Sequence, residues 1–88
     1  MYKEKYIFPA IFHVAEDGIS IEFPDLPGCL PCADTLEEAF KNAKEALHLH
    51  LHGMEKDGDE IPAPTPINKI NNKDNDVIVL IDAFMPQN

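Results

Sequence analysis

The spacing of apolar residues along the chain changes from strand-like to helical and back again. Tyr6 to Val14 is rich in aromatic and β-branched side chains and predicts a strand. Pro9 removes a backbone donor within that run, which predicts an edge position or a bulge. Glu16-Asp17-Gly18 supplies a turn, with glycine where a positive φ is needed. Ile19, Ile21 and Phe23 then alternate with Ser20 and Glu22, so a second strand buries one face and closes a hairpin with the first. Pro24-Asp25-Leu26-Pro27-Gly28 predicts a rigid reversal, and Cys29 to Ala33 a short third strand.

At Asp34-Thr35 the period becomes helical. Thr35 and Glu38 have the spacing of a capping box, and Glu37 and Glu38 lie where the helix dipole favours anions. Leu36, Phe40, Ala43, Leu47, Leu51 and Met54 form one apolar stripe, with Lys41, Lys44 and Glu45 off it. Gly53 and Gly58 are both able to stop the helix. About 18 residues at 1.5 Å each make a rod of roughly 27 Å, enough to cover one face of a small sheet. Pro62, Pro64 and Pro66 favour extended chain, and residues 58–76 as a whole predict a mobile Pro- and Asn-rich surface loop. Val77 to Ile81 is a continuous apolar run that predicts a central strand buried on both faces. The expected fold is therefore α+β: a three-stranded antiparallel meander, one long helix packed on it, and a final strand (β-β-β-α-β).

Composition narrows the function. With 88 residues there is room for one domain whose core is small, so self-association is expected. The formal net charge is -9, and all 7 basic residues are lysines. Nucleic-acid binding rests on basic groups that neutralise phosphates, and base contacts favour Arg, so no direct nucleic-acid partner is expected. An acidic surface suits a basic partner, whose approach it steers. The start of the chain carries no signal-peptide pattern and no run reaches membrane-spanning length. A cytoplasmic protein with reduced cysteines and no membrane contact is expected.

Candidate chemistry is sparse. Cys29-Leu30-Pro31-Cys32 matches C-x-x-C, but in a strand residues three apart point to opposite faces, and no other Cys completes a zinc site. Two structural cysteines are the better interpretation than a redox or metal site. His48, His50 and His52 alternate on the helix; His48 and His52 could share a metal, but an edge or interface role is the simpler expectation. His13 is expected to point away from the core. Asp25, Glu38 and Asp82 could be imagined as a nuclease triad, though nothing in their spacing requires it. No phosphate loop, nucleophile elbow or dinucleotide fingerprint is present. Neither a catalytic site nor a cofactor is expected.

One stretch is specific. The run from Pro9 to Phe12, then Glu16 to Cys29 with its Phe23-Pro24-Asp25-Leu26-Pro27-Gly28-Cys29 turn, resembles the N-terminal domain of HicB-type antitoxins. Asp34-Thr35-Leu36-Glu37-Glu38-Ala39, Asn42 to Leu47, and Gly58 with Glu60-Ile61-Pro62 continue the likeness over about two-thirds of the chain. Pro31-Cys32-Ala33 departs from the small polar and Gly residues usual before the Asp-Thr pair.

The resemblance implies a partial ribonuclease-H-like fold without a working nuclease site. It implies a protein that forms dimers or tetramers and neutralises a small basic ribonuclease toxin, of the HicA type, by covering its active surface. Family members often add a C-terminal DNA-binding segment; residues after Phe84 are too few for one, so none is expected here. Glu16, Asp17, Glu22, Asp25 and Asp34 are the expected charged contact surface. The alternatives are an orphan oligomeric domain that binds another protein or a small ligand, and a residual metal-dependent nuclease.

Overall fold

The computed structural model describes residues 3–71 and 73–86. Strands β1 (Lys5–Ala15), β2 (Gly18–Glu22) and β3 (Cys32–Ala33) form the meander; helix α1 (Leu36–Asp57) follows, and β4 (Asp76–Phe84) completes the sheet. The sheet order is β3-β2-β1-β4, antiparallel throughout. That order is compatible with the partial ribonuclease-H-like arrangement expected from sequence.

The hairpin forms because a two-residue turn, Glu16-Asp17, joins Ala15 and Gly18, which pair directly. One face of the sheet is apolar by alternation. Tyr6, Phe8, Ala10 and Phe12 of β1, Ile19 and Ile21 of β2, and Ile81 and Ala83 of β4 join one buried cluster. Helix α1 closes that cluster with Ala39, Ala43, Leu47 and Leu51, all fully buried. The Thr35 side chain accepts from the Glu38 N–H at 3.2 Å, and Glu38 reaches back to the N–H of Asp34 at 3.3 Å. Gly58, at φ 75°, ends the helix, and the N–H of Asp59 bonds to the carbonyl of Met54.

Four expectations change. The helical stripe turns: Ala39 is buried where Leu36 and Phe40 stay 53% and 47% exposed. Alanines at 39 and 43 let the helix approach the sheet closely, and the larger neighbours are left at its flank, with Phe40 edge-on to Phe12 at 5.1 Å. The third strand shrinks to Cys32–Ala33 because two successive turns, Leu26 N–H to Phe23 O and Cys29 N–H to Leu26 O, consume the preceding residues. Pro9 lies in the central strand rather than at an edge. It is tolerated because it lies opposite Leu80 of β4 but beyond the end of β2, whose pairing begins at Ile11.

The fourth concerns β4, which is an edge strand, paired with β1 alone. Its apolar run has Val77, Leu80 and Phe84 exposed instead of buried on both faces. Periodicity could not separate a buried strand from one whose outer side is left open.

Residues 58–75 carry the chain from the end of α1, beside Tyr6, back to the start of β4, opposite His13. A 3-10 turn at Ile67–Lys69 interrupts this return. Thr65 fastens it to Asp25 through both its N–H and its hydroxyl, at 2.9 and 2.5 Å.

Candidate functional site

The five acidic residues expected to form a contact surface fall into three places. Glu16 and Asp17 occupy the exposed hairpin turn. Asp34 is exposed next to the same end of the sheet, because Ile19 pairs with Ala33 and the backbone of Gly18 runs against the Ala33 carbonyl. A Cβ at Gly18 would stand 3.0 Å from that oxygen, so a residue without one keeps the turn and Asp34 together. Glu22 lies at the far end of β2, opposite Ile11. Asp25 lies past the end of β2, where it receives both bonds from Thr65. Its carboxylate is thus committed to holding the return segment.

Glu22 belongs to a cluster that sequence reasoning did not anticipate. His13 Nε2 lies 3.0 Å from Glu22 and its Nδ1 2.9 Å from Asp76, so one imidazole bridges carboxylates on both neighbouring strands. The hydrogen bond His13 donates to Glu22, then that to Asp76, raises the His13 pKa above its usual value against the opposing effect of burial. The Asp76 carboxyl is held below its usual value first by the Lys73 N–H and then by His13. The alternation had placed His13 on the face away from the core, and it is half-buried there. Only the pairing of His13 with both Ser20 and Asp76 reveals the cluster, and that needs the sheet order.

Cys29 is buried in the turn before the shortened third strand and Cys32 is exposed on that strand, both as free thiols, so they do not share the strand from which their divergence was expected. Burial pushes the Cys29 thiol up to about 11, which suppresses the thiolate that redox chemistry needs. His48 and His52 stack with ring centroids 6.5 Å apart on the exposed side of α1. Asp25, Glu38 and Asp82 are engaged separately, by Thr65, by the helix start and by Lys44. Among the described residues no group of three or more His, Cys, Asp or Glu could hold a metal ion. No described helix is long and apolar enough to cross a membrane. A hollow of about 820 Å³ opens between Lys3, Lys5 to Phe8 and residues 58–64. It contains no convergent set of reactive groups.

What the arrangement offers, then, is surface: an acidic sheet end and an open strand edge. Residues 8–85 match the family described as HicB_like antitoxin of bacterial toxin-antitoxin system. The chain belongs to this antitoxin family. A 14.9 kDa uncharacterized protein of Haemophilus phage HP1 is 40% identical over 67 residues, which are 76% of this chain and 50% of that protein. Antitoxin HicB of Escherichia coli K12 is 36% identical over 53 residues, 60% of this chain and 38% of its own length. The chain therefore spans about half or less of the length of these relatives. Among solved structures, a toxin-antitoxin complex from Streptococcus pneumoniae superposes with TM-score 0.81 at 18% identity, over 90% of this chain and 69% of that one. The N-terminal domain of Burkholderia pseudomallei antitoxin HicB superposes with TM-score 0.72 at 21% identity, over 86% and 95%. These likenesses establish the HicB fold.

Proposed function

We propose that this HicB-like chain binds and neutralises a small basic ribonuclease toxin of the HicA type by covering its active surface. The observation that carries this is the family match across residues 8–85. The net charge of -9 supports it, since a strongly acidic protein draws in a basic partner and repels nucleic acid. In this reading Glu16, Asp17 and Asp34 make the first charged contact, being exposed and gathered at one end of the sheet. Glu22 contributes from the outer face next to His13, and Asp25 supports the surface through Thr65. The protein acts as a homo-oligomer in the cytoplasm.

The test is co-expression with the product of the neighbouring gene. A small basic protein should co-purify, and its RNA cleavage should be silenced by this chain. The E16K/D17K variant should associate more slowly with that partner while folding normally. If no small basic protein is encoded nearby or retained, an orphan domain that binds another protein or a small ligand replaces the antitoxin role.

A further inference from the structure

The two edges of the sheet are built differently. At one edge, β3 has two residues and leads straight into Asp34 and the helix, so it offers little to pair with. At the other, β4 runs nine residues, Asp76–Phe84, in unbroken register with β1. Natural sheets blunt long edges with proline, lysine, bulges or a covering element. The sequence of β4 has no proline and no lysine, and its continuous register leaves no bulge.

Which backbone groups of β4 point outward follows from the hairpin. A two-residue turn makes Ala15 and Gly18 a hydrogen-bonded pair, so odd residues of β1 bond to β2 and even ones to β4. Two bonds outside the strands agree with this alternation. Ile21 donates outward to Pro31 of the third-strand segment, and Met85 donates to Glu4, an even position. On β4, Val77, Val79, Ile81 and Ala83 are thus turned to β1. The N–H and C=O groups of Ile78, Leu80 and Asp82 face away from the sheet. Around them Leu80 is 59% and Phe84 61% exposed, with Ile7 of β1 close by in register.

We infer that β4 pairs antiparallel with β4 of a second copy of this chain, about a two-fold axis at Leu80, which continues the two sheets into one. The strand itself selects this partner and this register. Leu80 is the midpoint of Asp76–Phe84, so a two-fold there uses the whole strand. It sets Ile78 opposite Asp82 and Asp76 opposite Phe84, so no acid meets an acid. A shift that pairs Leu80 with Ile78 brings Asp76 opposite Asp82, which like-charge repulsion disfavours. The shift in the other direction leaves the start of the strand unpaired. Lys44 reaches Asp82 at 3.5 Å and offsets the central negative charge of the strand. Leu80 meets its own counterpart on the outer face, which removes from water the most central of the exposed apolar groups.

The test uses the full chain alone, by sedimentation equilibrium and light scattering at high micromolar concentration. The expected result is a dimer that tightens with added salt, because each copy carries -9. Leu80→Lys, which places two ammonium groups at the axis, should abolish the dimer while far-ultraviolet circular dichroism and thermal unfolding stay unchanged. Leu80 is exposed in the single chain, so the substitution empties no core. Should that variant fail to fold, cross-linking decides. In a Cys32→Ser background, Leu80→Cys should form an inter-chain disulfide under oxidised glutathione, whereas Ile78→Cys should not.

Three results would overturn the inference. They are a chain that stays monomeric, a dimer indifferent to Leu80→Lys, and cross-linking at Ile78→Cys but not at Leu80→Cys. A monomer whose β4 variant loses only a basic partner would assign the edge to that partner instead. The inference shares the homo-oligomer with the proposed function but not the toxin contact: a monomeric chain removes the homo-oligomer and leaves the toxin contact standing, and failure to find a toxin leaves the β4 pairing standing.

Discussion

His13 is the residue whose surroundings make the sharpest prediction. Its imidazole joins β1 to Glu22 on β2 and to Asp76 on β4, so its charge state is coupled to three strands at once. The folded pKa lies above the usual 6.5, chiefly through Glu22. The stabilisation it brings is therefore complete below the unfolded value and is lost as pH rises through the raised folded value. Asp76 behaves in the opposite sense: its lowered pKa brings stability above the usual carboxylate range that is lost on acidification. Thermal unfolding followed from mildly acidic to mildly alkaline pH should fall across the histidine range. His13→Gln should flatten that step relative to the parent, and an unchanged step would remove His13 as its source. Gly18 offers a second check at this scale. At φ 146° and with the Ala33 carbonyl 3.0 Å from a would-be Cβ, Gly18→Ala should lower the denaturation midpoint. The histidine cluster was not legible in the sequence because its members come from positions 13, 22 and 76, joined only by register. The glycine was legible, since the turn Glu16-Asp17-Gly18 demands a residue tolerant of positive φ.

At the scale of elements, the signals that are local in sequence were the ones that could be read. Thr35, Glu38 and Gly58 each carry their own hydrogen-bonding logic, and the helix begins and ends where those residues require. Thr35→Ala should destabilise the protein by about 1 kcal/mol, the usual worth of such a cap. Gly58→Ala should cost about 1–2 kcal/mol, because its left-handed φ crowds a Cβ. Both are measured by urea unfolding. If the two losses add, the caps act independently, as their separation along the helix implies. The stripe was misjudged at Leu36 and Phe40 because hydrophobicity alone ranks a phenylalanine above an alanine. Close approach of the helix to the sheet instead favours the small side chains Ala39 and Ala43. The order of the strands was the least legible feature. An apolar β-branched run such as 77–81 looks the same in a sheet interior and at an edge left open for a partner. Pro9 misled in the opposite direction, because a missing donor is harmless wherever the neighbouring strand has already ended.

For the whole molecule, a small core and a large negative charge act against each other. The buried cluster around Phe8, Phe12, Phe23, Leu47 and Leu51 must hold the chain together against self-repulsion. Leu47→Ala should therefore cost about 2–5 kcal/mol, a large share of the stability of a domain this size. Added salt should recover part of the loss. Association with a basic toxin must respond to salt in the reverse sense. Attraction between a chain of net charge -9 and a cationic partner is screened as ionic strength rises, so the association rate should fall steeply while dissociation changes little. Pairing of two identical acidic chains is strengthened by the same screening. A salt titration that follows both processes in one preparation thus separates the acidic surface from the strand edge by sign alone. Toxin binding that tightened with salt would remove Glu16, Asp17 and Asp34 from the contact and leave apolar surface, such as Leu80 and Phe84, as its basis.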